Sequence, residues 1–136
     1  AQKEADTAKN HATSAEALLE SERLQNEQAE QIAREAEDKR DEALRELEEE
    51  TGYVAETYRD LGKFYPTPGY CGEIIHLYAA KDLTFTKQKL DEDEFLNVEK
   101  IPLDKAVEMV LNNELRDGKT QAAVLKVKML HDKGLW

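Results

Sequence analysis

No glycine or proline occurs before Gly52, and all nine aromatic residues lie at or after Tyr53. That boundary constrains the fold more than any other feature of the chain. A segment with neither turn formers nor large side chains has no means of bending back on itself and almost nothing to bury. Residues 2–50 therefore read as one uninterrupted helix, ~75 Å long at 1.5 Å per residue. Residues after Gly52 have ordinary globular composition. At 136 residues the whole is about one domain, with one modest core.

Charge follows the same division. Residues 1–50 hold 7 Lys/Arg and 16 Asp/Glu, a net of −9, leaving −2 of the total −11 for residues 51–136. Such acidity argues against nucleic acid or an anionic membrane as partner, because phosphate contacts need Lys and Arg. An anionic nucleotide remains compatible if Mg²⁺ comes between it and the protein. Cys71 is the single cysteine, so no internal disulfide forms, which fits a reducing cytoplasm. No apolar run approaches the ~20 residues of a membrane span, and no signal peptide is visible. A chain opening on Ala1 reads as a processed, truncated or engineered product.

Within the helical segment, alternating steps of four and three connect Ala1, Ala5, Ala8, Ala12, Ala15, Leu19, Glu22, Asn26, Ala29, Ala33, Ala36, Arg40, Ala43 and Leu47. This is an unbroken heptad frame. Nine of the fourteen positions are Ala and three are polar or charged, so each layer buries little area and pairing is weak. Two readings stay open: a coiled coil with a partner helix, or a solvated single helix supported by ion pairs such as Glu30–Arg34.

Gly52 reads as the C-cap of this helix. Beyond it, Tyr53 to Tyr65 and Glu73 to Phe85 read as strands, separated by the P-T-P-G-Y loop that no sheet ladder accommodates. Phe95 to Ile101 reads as a third, shorter strand after the acidic loop Leu90–Glu94. Leu103 to Leu115 is an amphipathic helix opened by Pro102, and Thr120 to Leu130 is another after the Asp117-Gly118 break. The fold class is α+β: a long helix, about three antiparallel strands and two C-terminal helices.

Glu46, Glu49 and Glu50 stand at i, i+3 and i+4, placing three carboxylates on one helix face. Like charges at that spacing strain a helix, and the C-terminal dipole adds to the strain. Converging hard oxygens are what Mg²⁺ or Mn²⁺ requires, although a solvated Glu-rich face gives the same pattern. His76, within an apolar strand, reads as a packed side chain. Cys71 has no basic neighbour to make it nucleophilic.

Arg45 to Tyr53 reads R-E-L-E-E-E-T-G-Y, which resembles the helical half of the Nudix box, R-E-U-x-E-E-x-G-U, with U aliphatic or aromatic. Glu37, eight places earlier, is in register for the isolated glutamate of the box, while Gln31 stands where the box has its first glycine. Downstream, F-Y-P-T-P-G-Y-C-G-E-I-I-H-L-Y resembles the strand-loop-strand of ADP-ribose pyrophosphatases, with Pro68 fifteen positions after Tyr53. The later L-D-E-D-E-F resembles their acidic catalytic loop. The likeness covers about residues 37–136, leaving residues 1–36 as a separate acidic, Ala-rich helix.

The resemblance implies part of an α/β/α Nudix fold that hydrolyses the pyrophosphate of ADP-ribose, or a related nucleoside diphosphate derivative, to AMP and ribose 5-phosphate with Mg²⁺ or Mn²⁺. It implies that Glu46, Glu49 and Glu50 face the metal, with Arg45 orienting the helix carboxylates. Glu94 would be the general base and Glu92 the fallback. Glu73 would position water or metal, with Pro68, Gly69 and Tyr70 beside the substrate. The family's strands before the box have no counterpart here, so a sheet edge and an apolar face await cover, by a homodimer through the long helix or by another chain. Two further readings stand beside the hydrolase: a non-catalytic coiled-coil interaction module, and a chimera carrying an inactive Nudix fragment.

Overall fold

The computed structural model describes residues 2–88, 92 and 96–136. In chain order it contains α1 (Gln2–Thr51), β1 (Tyr53–Phe64), β2 (Ile75–Phe85), α2 (Leu103–Leu111) and α3 (Gly118–Asp132). These form two compact units, Ala1–Lys39 and Arg40–Trp136. No described helix is long and apolar enough to cross a membrane.

The first unit is helix alone, and all its described residues are exposed. Ala, Glu, Gln, Lys, Arg and Leu, the best helix formers, dominate it. Arg23 pairs with Glu20 at 2.7 Å and with Glu27 at 3.7 Å, and Arg34 pairs with Glu30 at 3.3 Å. Exposed pairs of this kind contribute a few tenths of a kcal/mol each. Propensity summed along the segment therefore sustains the helix more than pairing does.

In the second unit α1 ends at Thr51, whose hydroxyl donates back to the Leu47 carbonyl. Gly52 then adopts φ +77°, the left-handed conformation that closes many helices, while its N–H donates to the Glu48 carbonyl at 2.8 Å. The chain leaves directly into β1, which pairs antiparallel with β2 from Tyr53↔Phe85 to Phe64↔Ile75. Burial alternates along β1, as a strand with one covered face requires.

The register breaks between Asp60 and Gly62, where Leu61 is the extra residue of a bulge and Gly62 takes φ +94°. The bulge turns Leu61 inward: it and Leu77 are the buried hydrophobic side chains among the described residues. It also frees the Leu61 carbonyl from the ladder, and Lys126 of α3 donates to that oxygen at 2.7 Å. Arg59 donates to the Leu135 carbonyl at 2.7 Å, a second tie between β1 and the C-terminal segment.

Two strands, not three, make up the sheet among the described residues. Of the anticipated third strand, Leu96 to Ile101 carries no strand structure, and Phe95 lies outside the described residues. Alternating side chains do not make a strand unless an adjacent edge accepts its backbone hydrogen bonds.

α2 stops at Leu111, four residues before the expected end. Asn113 at φ +62° takes the left-handed position, its N–H donating to Val110 and that of Glu114 to Met109, the paired bonds of a Schellman stop. The Asp117 side chain caps α3, accepting from the Thr120 N–H at 3.0 Å and the Thr120 hydroxyl at 2.6 Å. Lys128 of α3 bridges to Asp104 of α2 at 2.7 Å, fastening the two helices.

Candidate active site

The last two turns of α1 carry Glu46, Glu49 and Glu50 on one side of the helix. Glu46 and Glu50 are exposed and Glu49 is half-buried. Arg45 reaches the Glu49 carboxylate at 3.3 Å. With the two side chains 62% and 42% exposed, the pair is largely solvated and contributes little to the stability of the helix. The last turn holds no basic residue, so the carboxylates share their end of the helix with the negative pole of its dipole. An end built this way attracts cations.

Gly52 and Tyr53 hold that end in place. A Cβ on Gly52 would lie 2.7 Å from Phe85 Cε2 and 2.8 Å from the Gln88 nitrogen, so no larger residue fits. Thr86 donates to the Gly52 carbonyl through both N–H and hydroxyl, and Gln88 Nε2 donates to the Glu50 carbonyl at 2.6 Å. The Tyr53 ring meets Phe85 edge-on at 5.4 Å, and Lys100 Nζ lies 5.4 Å from its centre. Tyr53 in turn raises the Lys100 pKa through hydrogen bonding and charge. Thr86 and Gln88 escaped the sequence reading, because no motif marks polar residues that follow a strand.

Pro68, Gly69, Tyr70 and Glu73 lie at the opposite end of the hairpin from the helix end, beyond the Phe64↔Ile75 pair. Glu73 lines a surface hollow with Phe64, Pro66, Ile75, Asp117, Gly118 and Lys119. Pro68, Gly69 and Tyr70 belong to an exposed turn closed by the N–H groups of Tyr70 and Cys71 on the Thr67 carbonyl, at 3.1 and 2.9 Å. Tyr70 is 96% exposed. Glu92 is exposed in a turn, and Glu94 lies outside the described residues.

Among the described residues no three His, Cys, Asp or Glu side chains gather closely enough to hold a metal ion. The donor type nevertheless suits Mg²⁺ or Mn²⁺. Mg²⁺ is commonly held by one or two carboxylates, with water and substrate phosphates completing its shell. Two carboxylates from the helix end meet that requirement.

A profile of the NUDIX domain matches residues 32–124, beginning just after Gln31. The chain is 44% identical over 84 residues to an ADP-ribose pyrophosphatase of Bacillus subtilis (strain 168), covering 60% of this chain and 45% of the relative. It is 47% identical over 90 residues to a methanol dehydrogenase activator of Bacillus methanolicus, covering 65% and 49%. Among solved structures, that of an ADP compounds hydrolase superposes with a TM-score of 0.59 at 26% identity, covering 69% of this chain and 51% of the other. The chain thus spans about half the length of the curated relatives it matches.

Proposed function

Because the chain belongs to the NUDIX domain family, we propose that its helix-end glutamates serve the Mg²⁺-dependent hydrolysis of ADP-ribose, or of a related nucleoside diphosphate derivative, to AMP and ribose 5-phosphate. The observation that carries this reading is the coincidence of R-E-L-E-E-E-T-G-Y with a real helix end. The motif's glycine stands where no side chain fits, and its Arg45 is paired with its Glu49. Similarity to an ADP-ribose pyrophosphatase and to an ADP compounds hydrolase supports the substrate class.

Glu49 and Glu50 would hold the metal, with Glu46 on the same face and Arg45 fixing Glu49. Bound there, Mg²⁺ would neutralise the pyrophosphate and polarise the attacked phosphorus. Water adds to one phosphorus, the bridging P–O bond breaks, and each half leaves as a monophosphate. Glu94, or Glu92 in its stead, takes the proton from the water, and Glu73, Pro68, Gly69 and Tyr70 are assigned to the substrate. In this reading residues 37–136 are the hydrolase domain and residues 1–36 a helical extension. The free, exposed Cys71 supports a reducing compartment, the cytoplasm.

The test is release of AMP from ADP-ribose by the purified chain with and without Mg²⁺. A folded chain that releases none in either condition would refute the reading.

A second reading concerns the helix. Leu19 of the heptad frame is exposed on α1, as are the frame's described residues from Ala5 to Ala36, which favours a homodimer paired through the helix, whether or not the chain turns over. Sedimentation showing only monomer at high concentration would remove it.

A further inference from the structure

Gln88 occupies a position that the box does not describe. Its side-chain amide donates to the Glu50 carbonyl at 2.6 Å and makes a longer contact to the Leu96 carbonyl at 3.4 Å. Both partners are carbonyl oxygens, so the NH₂ side of the amide must face them, and its two hydrogens serve one acceptor each. The Glu50 carbonyl is among the last four of α1, which no helical N–H can satisfy. Gln88 is itself half-buried, and its main-chain nitrogen lies against Gly52, close enough to exclude a Cβ there. One residue thus meets the helix end twice, its backbone packed close to Gly52 and its side chain bonded to the Glu50 carbonyl.

We propose that Gln88 is a positioning residue for the metal-binding carboxylates. By fixing the main chain at Glu50, it sets the direction in which the Glu49 and Glu50 side chains leave the last turn. This inference rests on the hydrolase reading above. Groups that orient metal ligands without touching the metal typically change affinity or activity by about 10- to 100-fold when removed. Arg45 meets the Glu49 carboxylate, whereas Gln88 meets the main chain at Glu50.

The experiment uses the full chain and Mn²⁺ alone as probe, with free Mn²⁺ followed by electron paramagnetic resonance. Gln88→Met keeps the side-chain length and removes both donors. Its Mn²⁺ affinity should fall about tenfold, with helical circular dichroism unchanged. In the ADP-ribose assay kcat should fall by a similar factor while KM for the nucleotide stays within about twofold, because Gln88 is assigned no contact with substrate. Should Gln88→Met fail to fold, Gln88→Asn, which keeps the amide but shortens its reach, is read in the same way. Unchanged Mn²⁺ affinity in a folded variant would overturn the proposal and leave Gln88 a purely structural cap. Glu49→Gln separates the two readings. If it too leaves Mn²⁺ binding intact, or if the parent chain binds none, the metal site itself is misassigned and the role of Gln88 falls with it.

Discussion

Thr86 donates twice to the carbonyl oxygen of Gly52, its main-chain N–H at 2.6 Å and its hydroxyl at 3.1 Å. The end of α1 is thereby sewn to the end of β2, and Gly52 becomes the point at which helix, strand and candidate site share one residue. Its φ of +77° already disfavours any L side chain, and the Phe85 ring and Gln88 backbone occupy the place of a Cβ. Gly52→Ala should therefore cost about 2 kcal/mol or more, from left-handed strain and steric overlap together. Gly52→Asn tests the division between them. Asn tolerates left-handed backbone but still carries a Cβ, so it should recover little of the loss in urea denaturation. A stable Asn variant would mean that conformation alone demands the glycine.

The buried hydrophobic side chains among the described residues are Leu61 and Leu77, each 8% exposed. Leu77→Ala should cost about 2–4 kcal/mol, a large share of the stability of a small domain. Leu83, on the same strand but 46% exposed, should lose under about 1 kcal/mol as Ala. Comparing denaturation midpoints of the two variants at equal m-value checks the contrast.

Asp117 has its carboxyl pulled down from 3.8 to about 2, first by the hydrogen bond from Lys119 and then by those from Thr120. A depressed carboxyl stabilises the fold above its unfolded value, and that contribution drains away as pH falls through the folded one. Asp117→Ala should therefore melt at a lower temperature than the parent at pH 7. The gap should narrow as pH drops from 3.8 towards 2. A gap independent of pH across that window would mean that the charge of the cap contributes nothing.

Much of this architecture was legible because a few residues decide it. The run without Gly or Pro up to Thr51 leaves only a helix, and Gly52 ends it as a C-cap glycine should. The two long strands follow from apolar runs on either side of a proline-rich loop. The early end of α2 turns on Asn112-Asn113, where an asparagine takes the left-handed place more often given to glycine, so the amphipathic pattern misled by one turn. Phe95 to Ile101 had a strand's composition, but strand pairing is a tertiary property that a single segment does not encode. The bulge at Leu61 was invisible for the same reason, and with it the role of Lys126 on the freed carbonyl. At the candidate site, the glutamates were marked by spacing and Arg45 by the resemblance to the Nudix box. Gln88 and Thr86 were not, since their function comes from where the strand end meets the helix end.

Glu50 stands at the junction of these observations: its carboxylate is exposed at the helix end, and its carbonyl is held by Gln88. Glu50→Gln preserves size and backbone bonding while removing the charge a hard cation needs. Mg²⁺-dependent release of AMP from ADP-ribose should fall by about 100-fold or more, beyond the range typical of a ligand's supporting contacts, with the melting temperature equal or slightly raised. The rise is expected because the carboxylate sits at the negative end of the helix dipole beside Glu46 and Glu49, and neutralising it relieves repulsion. Arg45→Ala should act less severely, since the Arg45–Glu49 pair is largely solvated and orients a ligand instead of supplying one. The order Glu50→Gln below Arg45→Ala below parent, in kcat at saturating Mg²⁺, is the signature of this assignment. Turnover unaffected by Glu50→Gln would move the metal site away from the helix end altogether.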